Sequence, residues 1–473
     1  MKAINTKKIT HLVLISISIY IAYFYHGGTN FSMVPIHHDD YTNLSSYLSD
    51  MFLSGKYDRP ISTIIIALIS KFGEIGYLIF QLIFLSTYLY LVIYFLSDLL
   101  KVKITWFSVV IASVFISTLP NLVEYHFYTG LMTNLSSALF GMMALVIFHR
   151  FNGRRYFGWV TFFLFLSAFS KEDYILPFIV YTSLSYFYLK FIKNTNDSLR
   201  PYLNGTIVAL CILVSSLVYN RIAGSAFVSS NTTYYSISIN ILDILSVYEF
   251  YFLRSLHLKL LVGLAIILSF LYVLFSRDKS RACFNFVAVI VMSLSLAAPY
   301  SLLKNHLAPY YSFMWFVWIS LFSLIMIQDL TSRMKIFNNY AYIIISSMLV
   351  VFFSLQFESE RGNIIRWYEN QHEMTSNILK NIRKLTYEYN GVDKVLVINP
   401  PGLSPWSHSS GQYLERRMNT SNQWIVLVNE SDGFYQIGEE NKNIVIMRNT
   451  TENMWGEKYP YIKFRSEQII IGG

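Results

Sequence analysis

The sequence is poor in charged residues. Asp, Glu, Lys and Arg make up only 14% of its 473 residues, whereas soluble domains carry about 25%. Cysteine is almost absent as well, since Cys211 and Cys283 are the two cysteines and both lie inside apolar runs. The chain also has no P-loop, no Gly-rich dinucleotide fingerprint and no HExxH motif. These deficits exclude an ordinary soluble domain, a disulfide framework and a cysteine metal cluster.

Long apolar runs take the place of the missing charge. Hydrophobic residues make up 54% of the chain, and a helix of roughly 20 residues crosses a hydrocarbon core of about 30 Å. We therefore predict an α-helical polytopic membrane protein with about eleven transmembrane helices. The predicted spans are 11–25, 76–97, 104–119, 131–148, 156–169, 174–189, 201–219, 256–275, 282–299, 311–328 and 339–357.

The short run "ISTIIIALIS" at 61–70 sets the orientation of everything that follows it. If it stays on the outer side, the cytoplasmic segments hold 16 Lys and Arg in 49 residues, and the opposite segments hold 7 in 111. That bias follows the positive-inside rule, and it assigns the net charge of +9 to cytoplasmic loops rather than to nucleic-acid binding. We predict a cytoplasmic N-terminus and a first outer loop, 26–75, that contains interfacial helices.

The composition changes near residue 358. A charged stretch with helical spacing comes first, and the runs "KVLVIN", "QWIVLVN", "NIVIMR" and "EQIIIGG" then alternate with turn-rich segments. We predict a membrane domain over 1–357 and a small α/β domain over 358–473. About eleven spans that start from a cytoplasmic N-terminus place this second domain on the extracytoplasmic side.

The stretch "PIHHDDYTN" at 35–43 follows the first apolar run. Adjacent carboxylates repel each other, so one of the pair Asp39 and Asp40 tends to keep its proton unless a cation is near. Such a carboxylate suits a general base that deprotonates a hydroxyl group. Two other interpretations stay open: a solvated loop whose aspartates cap a helix, or a metal site that includes His37 and His38.

Further ionisable residues fall on the same predicted side. "SKEDYILP" places Lys171, Glu172 and Asp173 between two short spans, where ionisable groups are costly and mark a site or pathway. Lys304, His306 and Arg59 are outer cations that suit a phosphate. The alternatives are a charged hairpin with a snorkelling lysine and ordinary cations at the headgroup level.

The segments "HHDDYTNLSSYLSDMFLSGKYDRPISTIIIALISKFG", "SKED" and "NHLAPYY" together resemble the GT-C superfamily of multi-span glycosyltransferases, which use polyprenyl-phosphate sugars. They are most similar to the bacterial and phage-borne serotype-converting O-antigen glucosyltransferases. The resemblance implies a multi-pass protein of the bacterial inner membrane whose C-terminal domain is periplasmic. Its partners would be the lipid bilayer, an undecaprenyl-phosphate-linked sugar and a polysaccharide acceptor.

The resemblance also implies a reaction. An inverting transferase would move a hexose, glucose by resemblance, from undecaprenyl phosphate to an O-antigen or another surface polysaccharide. Asp39 would be the base and Asp40 would orient the acceptor, or the two roles would be exchanged. Arg59, Lys171, Lys304 and His306 would hold the departing phosphate, and Glu172 would bind a sugar hydroxyl or Lys171. No cofactor beyond the lipid-linked donor is expected, and metal dependence stays open.

Three other functions remain open at this point. A flippase or transporter of polysaccharide precursors would carry ionisable residues within its spans, which here are nearly free of charge. An O-antigen polymerase or ligase would concentrate arginines in large loops, yet 220–255 holds only Arg221 and Arg254. A non-catalytic assembly partner would act through residues 358–473.

Overall fold

The computed structural model describes residues 6–25, 59–70, 72–127, 131–195, 199–222, 238–304, 307, 309–333, 339–388, 394–398, 423–427, 443–449 and 464–470. These residues are mainly helical up to residue 388. The helices are α1 (Thr6–Tyr25), α2 (Pro60–Ser70), α3 (Gly73–Leu100), α4 (Trp106–Thr118), α5 (Pro120–Phe127), α6 (Met132–Phe151), α7 (Phe157–Ser170), α8 (Ile175–Phe187), α9 (Leu199–Ile222), α10 (Ile241–Leu253), α11 (Leu256–Phe275), α12 (Lys279–Ser301), α13 (Phe313–Arg333) and α14 (Asn339–Glu388). A 3₁₀ turn (Glu172–Tyr174) precedes α8, a π turn (Tyr188–Ile192) follows it, and a second 3₁₀ turn (Pro309–Ser312) precedes α13.

Eight stretches among the described helices are long and apolar enough to cross a membrane. The prediction of a helical polytopic membrane protein is therefore confirmed. The apolar stretches of α1, α4 and α7 are shorter, at Lys8–Ala22, Trp106–Thr118 and Phe157–Ser170, so eight of the eleven predicted spans meet the length criterion. Helix α2 has 11 residues and is about 16 Å long, roughly half of the hydrocarbon thickness.

Local sequence explains where the helices begin. Pro60 opens α2, and proline suits the first helical position because its missing N–H would have no partner there. Four other helices begin after a side chain that accepts a hydrogen bond from a free backbone N–H of the first turn, as N-caps do. These capping residues are Thr105 before α4, Asn240 before α10, Ser255 before α11 and Asp278 before α12.

Helix α13 is the centre of the bundle. Its most apolar stretch is 94% buried, and it packs against α3, α4, α11, α12 and α14. A helix that is apolar on every side needs such an environment. Trp315 and Trp318 are fully buried there, so this helix forms the core around which the other spans are arranged.

The segments that the charge count assigns to one side of the membrane contact each other. His149 Nε2 lies 3.2 Å from Asp98 Oδ2, and Lys193 Nζ lies 3.2 Å from Asp278 Oδ2. At the opposite end, Ser62 Oγ donates a hydrogen bond of 3.1 Å to the carbonyl of Ser170. We name the end that carries 149–155 the basic end, and the end that carries 170–174 the site end.

Helix α14 runs without interruption through the boundary predicted at 357/358 and ends at Glu388. The strands β1 (Lys394–Ile398), β2 (Gln423–Leu427), β3 (Asn443–Asn449) and β4 (Phe464–Ile470) then form a sheet of order β2-β1-β3-β4. β1 pairs in parallel with both β2 and β3, whereas β4 is antiparallel to β3. Each strand overlaps one of the four β-rich runs of the sequence. A separate extracytoplasmic domain stays a prediction.

Candidate functional site

Three segments that are distant in the sequence meet at the site end. Ser62, on α2, holds the carbonyl of Ser170, and Ser137, on α6, donates a hydrogen bond of 2.5 Å to the carbonyl of Lys171. Tyr300, at the end of α12, stacks on Tyr311 with ring centroids 3.8 Å apart. The segment 170–174 therefore lies between the helix of the first predicted outer loop and the segment that follows α12.

Lys171 lies at the centre of this arrangement and is only 3% exposed. Its Nζ donates a hydrogen bond of 2.7 Å to Asn134 Oδ1 and lies 3.6 Å from Asp173 Oδ2. The same Nζ lies 4.9 Å from the ring centroid of Tyr300 and 4.6 Å from that of Tyr311. A carboxylate, an amide and two aromatic faces thus surround the ammonium group, so that its charge is compensated inside the protein.

Burial lowers the pKa of Lys171 to about 8, and the Asp173 carboxylate opposes part of that shift. Arg59, which directly precedes α2, lowers this pKa further by electrostatic repulsion. Arg59 therefore acts on the same cluster as Lys171.

Tyr300 connects the cluster to α12. Its hydroxyl donates a hydrogen bond to Asp173 Oδ2, and Asn134 Nδ2 lies 3.4 Å from the same hydroxyl. Asn134, Lys171, Asp173, Tyr300 and Tyr311 form one continuous polar group, which we name the Lys171 cluster. Next to Asp173, the hydroxyl of Tyr174 contacts the hydroxyl of Tyr88. Trp318 Nε1 donates a hydrogen bond of 3.2 Å to the same Tyr88 hydroxyl. The cluster is thereby anchored to the central helix.

Three acidic residues at the site end have a buried oxygen that accepts no hydrogen bond from the described part of the chain: Glu124 Oε2, Glu172 Oε2 and Asp173 Oδ1. A buried acceptor without a donor costs about 1–3 kcal/mol, and more when it is charged. Native interiors rarely leave such atoms unpaired. Their concentration here indicates a region that is suited to a ligand with several hydrogen-bond donors.

Glu124 lies on α5, whose Val123 packs against Ile364 and Ile365 of α14. The nearby Arg254 Nη2 lies 2.5 Å from Glu360 Oε1, so the charge of this arginine is already balanced by another carboxylate. Burial raises the pKa of Glu124 to about 8, although Arg254 opposes the shift. Near neutral pH this carboxyl group therefore keeps its proton and can donate a hydrogen bond.

The predicted site residues have different positions. The described residues do not include Asp39, Asp40, their neighbours His37 and His38, or His306. Lys304 is 52% exposed and forms an ion pair of 2.8 Å with Asp243 Oδ1, at the surface rather than in the Lys171 cluster. Among the predicted cations, Lys171 and Arg59 thus act together, and Glu172 lies beside them in the 3₁₀ turn.

The sequence did not indicate Asn134, Tyr300 or Tyr311 as site residues, and it indicated Asp173 only as part of the charged "SKED" segment. Asn134 carries a usable signal because it is a polar residue inside an otherwise apolar run, where an amide needs a partner. Asp173 stands next to Lys171 and Glu172 in the "SKED" segment. Tyr311 ends the "NHLAPYY" segment on which the resemblance rests, whereas Tyr300 carries no comparable signal in a chain that contains 36 tyrosines.

Comparison of the sequence with protein-family models and with curated proteins gives no match. The described residues contain no group of three or more His, Cys, Asp or Glu side chains that could hold a metal ion. The fold and the Lys171 cluster therefore provide the evidence on which a functional assignment rests.

Proposed function

We propose that the protein is an inverting hexosyltransferase of the GT-C type. It moves a hexose, glucose by resemblance, from undecaprenyl phosphate to a lipid-linked or nascent O-antigen or another surface polysaccharide. In this proposal the site end faces the outer side of the bacterial inner membrane, the N-terminus is cytoplasmic, and the strands β1–β4 belong to a periplasmic α/β domain.

One observation carries the proposal: the segments at 59–62, 170–174 and 300–312 converge at one end of an apolar bundle. The first of these segments belongs to the predicted outer loop, 26–75, that also contains Asp39 and Asp40. A membrane enzyme with a lipid-borne substrate needs its polar chemistry at such an interface. The unpaired oxygens of Glu124, Glu172 and Asp173 supply acceptors for sugar hydroxyl groups.

The reaction breaks the bond between the anomeric carbon and the phosphate oxygen of the donor. An acceptor hydroxyl attacks that carbon from the opposite face, so the configuration inverts. Asp39 takes the hydroxyl proton as general base and Asp40 orients the acceptor, or the two exchange roles. The lipid phosphate leaves with the bonding electron pair, and fixed cations stabilise the developing charge.

Arg59 and His306 are the proposed ligands of the leaving phosphate, whereas Lys304 already pairs with Asp243. Lys171 has a different environment because Asp173, Asn134 and two aromatic rings already compensate its charge. We assign it to positioning: it fixes the 3₁₀ turn that carries Glu172 through its contact with Asp173.

The test uses Asp39→Asn and Asp40→Asn in the full chain, expressed in a host whose surface polysaccharide is then analysed by mass spectrometry. We expect the wild type to add one hexose per repeat unit. At least one of the two variants should lose this addition by 100-fold or more, since general-base catalysis contributes about 10² to 10⁴ in rate.

Asp50→Asn is the matched control, because it changes a carboxylate in the same predicted outer loop. Full hexose addition by both Asp39→Asn and Asp40→Asn, at normal membrane abundance, would rule out the proposed base. If reconstituted wild-type protein moved lipid-linked sugar across a bilayer without transferring it, the flippase would be the better assignment.

A further inference from the structure

A pocket at the basic end lies far in the fold from the Lys171 cluster. Its volume is about 370 Å³. It lies between the turn that follows α6 and the first turns of α9. Its described lining residues are Gly153, Arg154, Phe157, Arg200, Pro201 and Asn204.

Glycine is required where the pocket wall is formed. Gly153 has a φ of +65°, and a Cβ atom there would lie 2.6 Å from Phe148 Cε2 and 3.0 Å from Pro201 Cβ. The turn after α6 can therefore lie directly against the start of α9. This close approach puts Arg154 and Arg200, which are 46 residues apart in the sequence, on the same pocket.

The lining selects an anion. Two guanidinium groups and the Asn204 amide offer several N–H donors, and none of the described lining residues is acidic. Guanidinium groups bind phosphate oxygens in a bidentate manner. Phe157 and Pro201 provide an apolar wall beside these donors, so the pocket suits a group that is both anionic and attached to an apolar body.

The surroundings indicate that this body is a lipid. Tyr156 and Trp159 follow the pocket turn, and each is 55% exposed. Exposed Tyr and Trp side chains at the ends of membrane helices lie at the headgroup level. Basic pockets between transmembrane helices bind anionic headgroups.

We propose that Arg154 and Arg200 form a binding site for the phosphate of an anionic phospholipid in the leaflet at the basic end. The site is independent of the proposed sugar transfer, since it lies at the other end of the bundle and involves none of the Lys171 cluster residues.

The test is native mass spectrometry of the full-length protein in detergent, with equal amounts of phosphatidylglycerol and phosphatidylcholine. We expect the wild type to retain phosphatidylglycerol preferentially. Arg154→Gln and Arg200→Gln should each lower the retained phosphatidylglycerol about fivefold, because one basic residue contributes about 1 kcal/mol near a lipid phosphate.

Arg155→Gln is the matched control, because Arg155 is exposed and adjacent but is not one of the described lining residues. It should lower retention by less than about twofold. Equal losses in all three variants would mean diffuse surface charge and would overturn the site. Unchanged retention in Arg154→Gln and Arg200→Gln would overturn it as well.

Two further arms keep the result interpretable. Arg200→Lys keeps the positive charge but removes the planar guanidinium group. It should therefore retain less phosphatidylglycerol than the wild type and more than Arg200→Gln, and it provides a second variant if Arg200→Gln folds poorly. In the second arm, inorganic phosphate is added at about 10 mM as a competitor. Displacement of phosphatidylglycerol by inorganic phosphate alone would show a site for free phosphate and would overturn the lipid assignment.

Discussion

The two ends of the bundle place their carboxyl groups in different environments. At the basic end, Asp98 contacts Lys101 and His149, and Asp278 contacts Lys193, so each carboxylate has a described basic partner. At the site end, Glu124, Glu172 and Asp173 each have a buried oxygen without a donor from the described residues. Unpaired buried acceptors cost stability, and three carboxyl groups at the site end carry that cost.

The largest expected effect comes from Lys171→Met. The substitution leaves Asp173 buried without its cation, and breaking a buried ion pair costs about 3–5 kcal/mol. We expect a large fall in the thermal unfolding midpoint of the purified protein, together with loss of hexose transfer.

The double variant Lys171→Met/Asp173→Asn separates charge from packing. It should recover part of the lost stability, because a neutral amide replaces the unpaired carboxylate. If the single variant unfolds at the wild-type temperature, the Lys171 cluster does not hold the site end together.

The next largest effect is expected for two buried tyrosines, each of which contacts an ionisable side chain through its hydroxyl group. Tyr300 donates to Asp173 at the site end, and Tyr181 lies 2.5 Å from His149 Nδ1 at the basic end. Tyr300→Phe should destabilise by about 2 kcal/mol because its acceptor is a carboxylate, and Tyr181→Phe by about 1 kcal/mol.

Transfer activity sharpens this comparison. We expect Tyr300→Phe to lower the rate about tenfold, since Tyr300 positions the turn that carries Glu172. Tyr181→Phe should leave the rate unchanged in the same surface-glycan assay. If both variants lost activity equally, Tyr300 would have no special role in transfer, and the site end and the basic end would differ only in their contributions to stability.

Glu124→Gln should change how stability depends on pH. Burial raises the pKa of Glu124 from 4.5 to about 8, so the folded state holds a proton that the unfolded state releases. The resulting stability is complete below pH 4.5 and is lost as the pH rises toward 8. The thermal unfolding midpoint of the wild type should therefore decrease as the pH is raised from about 5.5 to about 7.5, which lies within that window. The glutamine variant should show a smaller decrease.

Asp243→Asn is the control for this pH measurement. Hydrogen bonds from Lys304 and Ser238 lower the pKa of Asp243, so its contribution is present above pH 3.8 and is lost only at more acid pH. The pH dependence of this variant should follow the wild type in the measured window. If Glu124→Gln follows it too, Arg254 stabilises the Glu124 carboxylate more than burial destabilises it.

The helices were largely predictable from the sequence, whereas the site was only partly so. Runs such as 76–97 and 282–299 coincide with α3 and α12 because burial in lipid demands continuous apolar stretches. Lys171 and Glu172 stood out because charge between two apolar runs is costly.

The partners of these residues depend on tertiary packing. Asn134 and Tyr300 are 166 residues apart, and they come together because α6 and α12 both pack against the 3₁₀ turn at Glu172–Tyr174. Lys304 was predicted among the site cations, and its partner Asp243 lies 61 positions earlier in the chain. Local sequence patterns report burial, but they do not report which distant residue completes a contact.

The smallest effect is expected for Lys193→Met at the basic end. Lys193 and Asp278 form an ion pair whose side chains are 41% and 48% exposed. Water screens such a pair, and surface pairs contribute little to stability. The unfolding midpoint should therefore stay within about 1 °C of the wild type.

Salt provides an independent comparison of the two lysines. At about 1 M salt the screening length falls to about 3 Å, which weakens exposed pairs much more than buried ones. Any small difference between Lys193→Met and the wild type should vanish at high salt, whereas the defect of Lys171→Met should persist. A defect of Lys193→Met as large and as salt-resistant as that of Lys171→Met would remove the distinction between a solvated basic end and a buried site end.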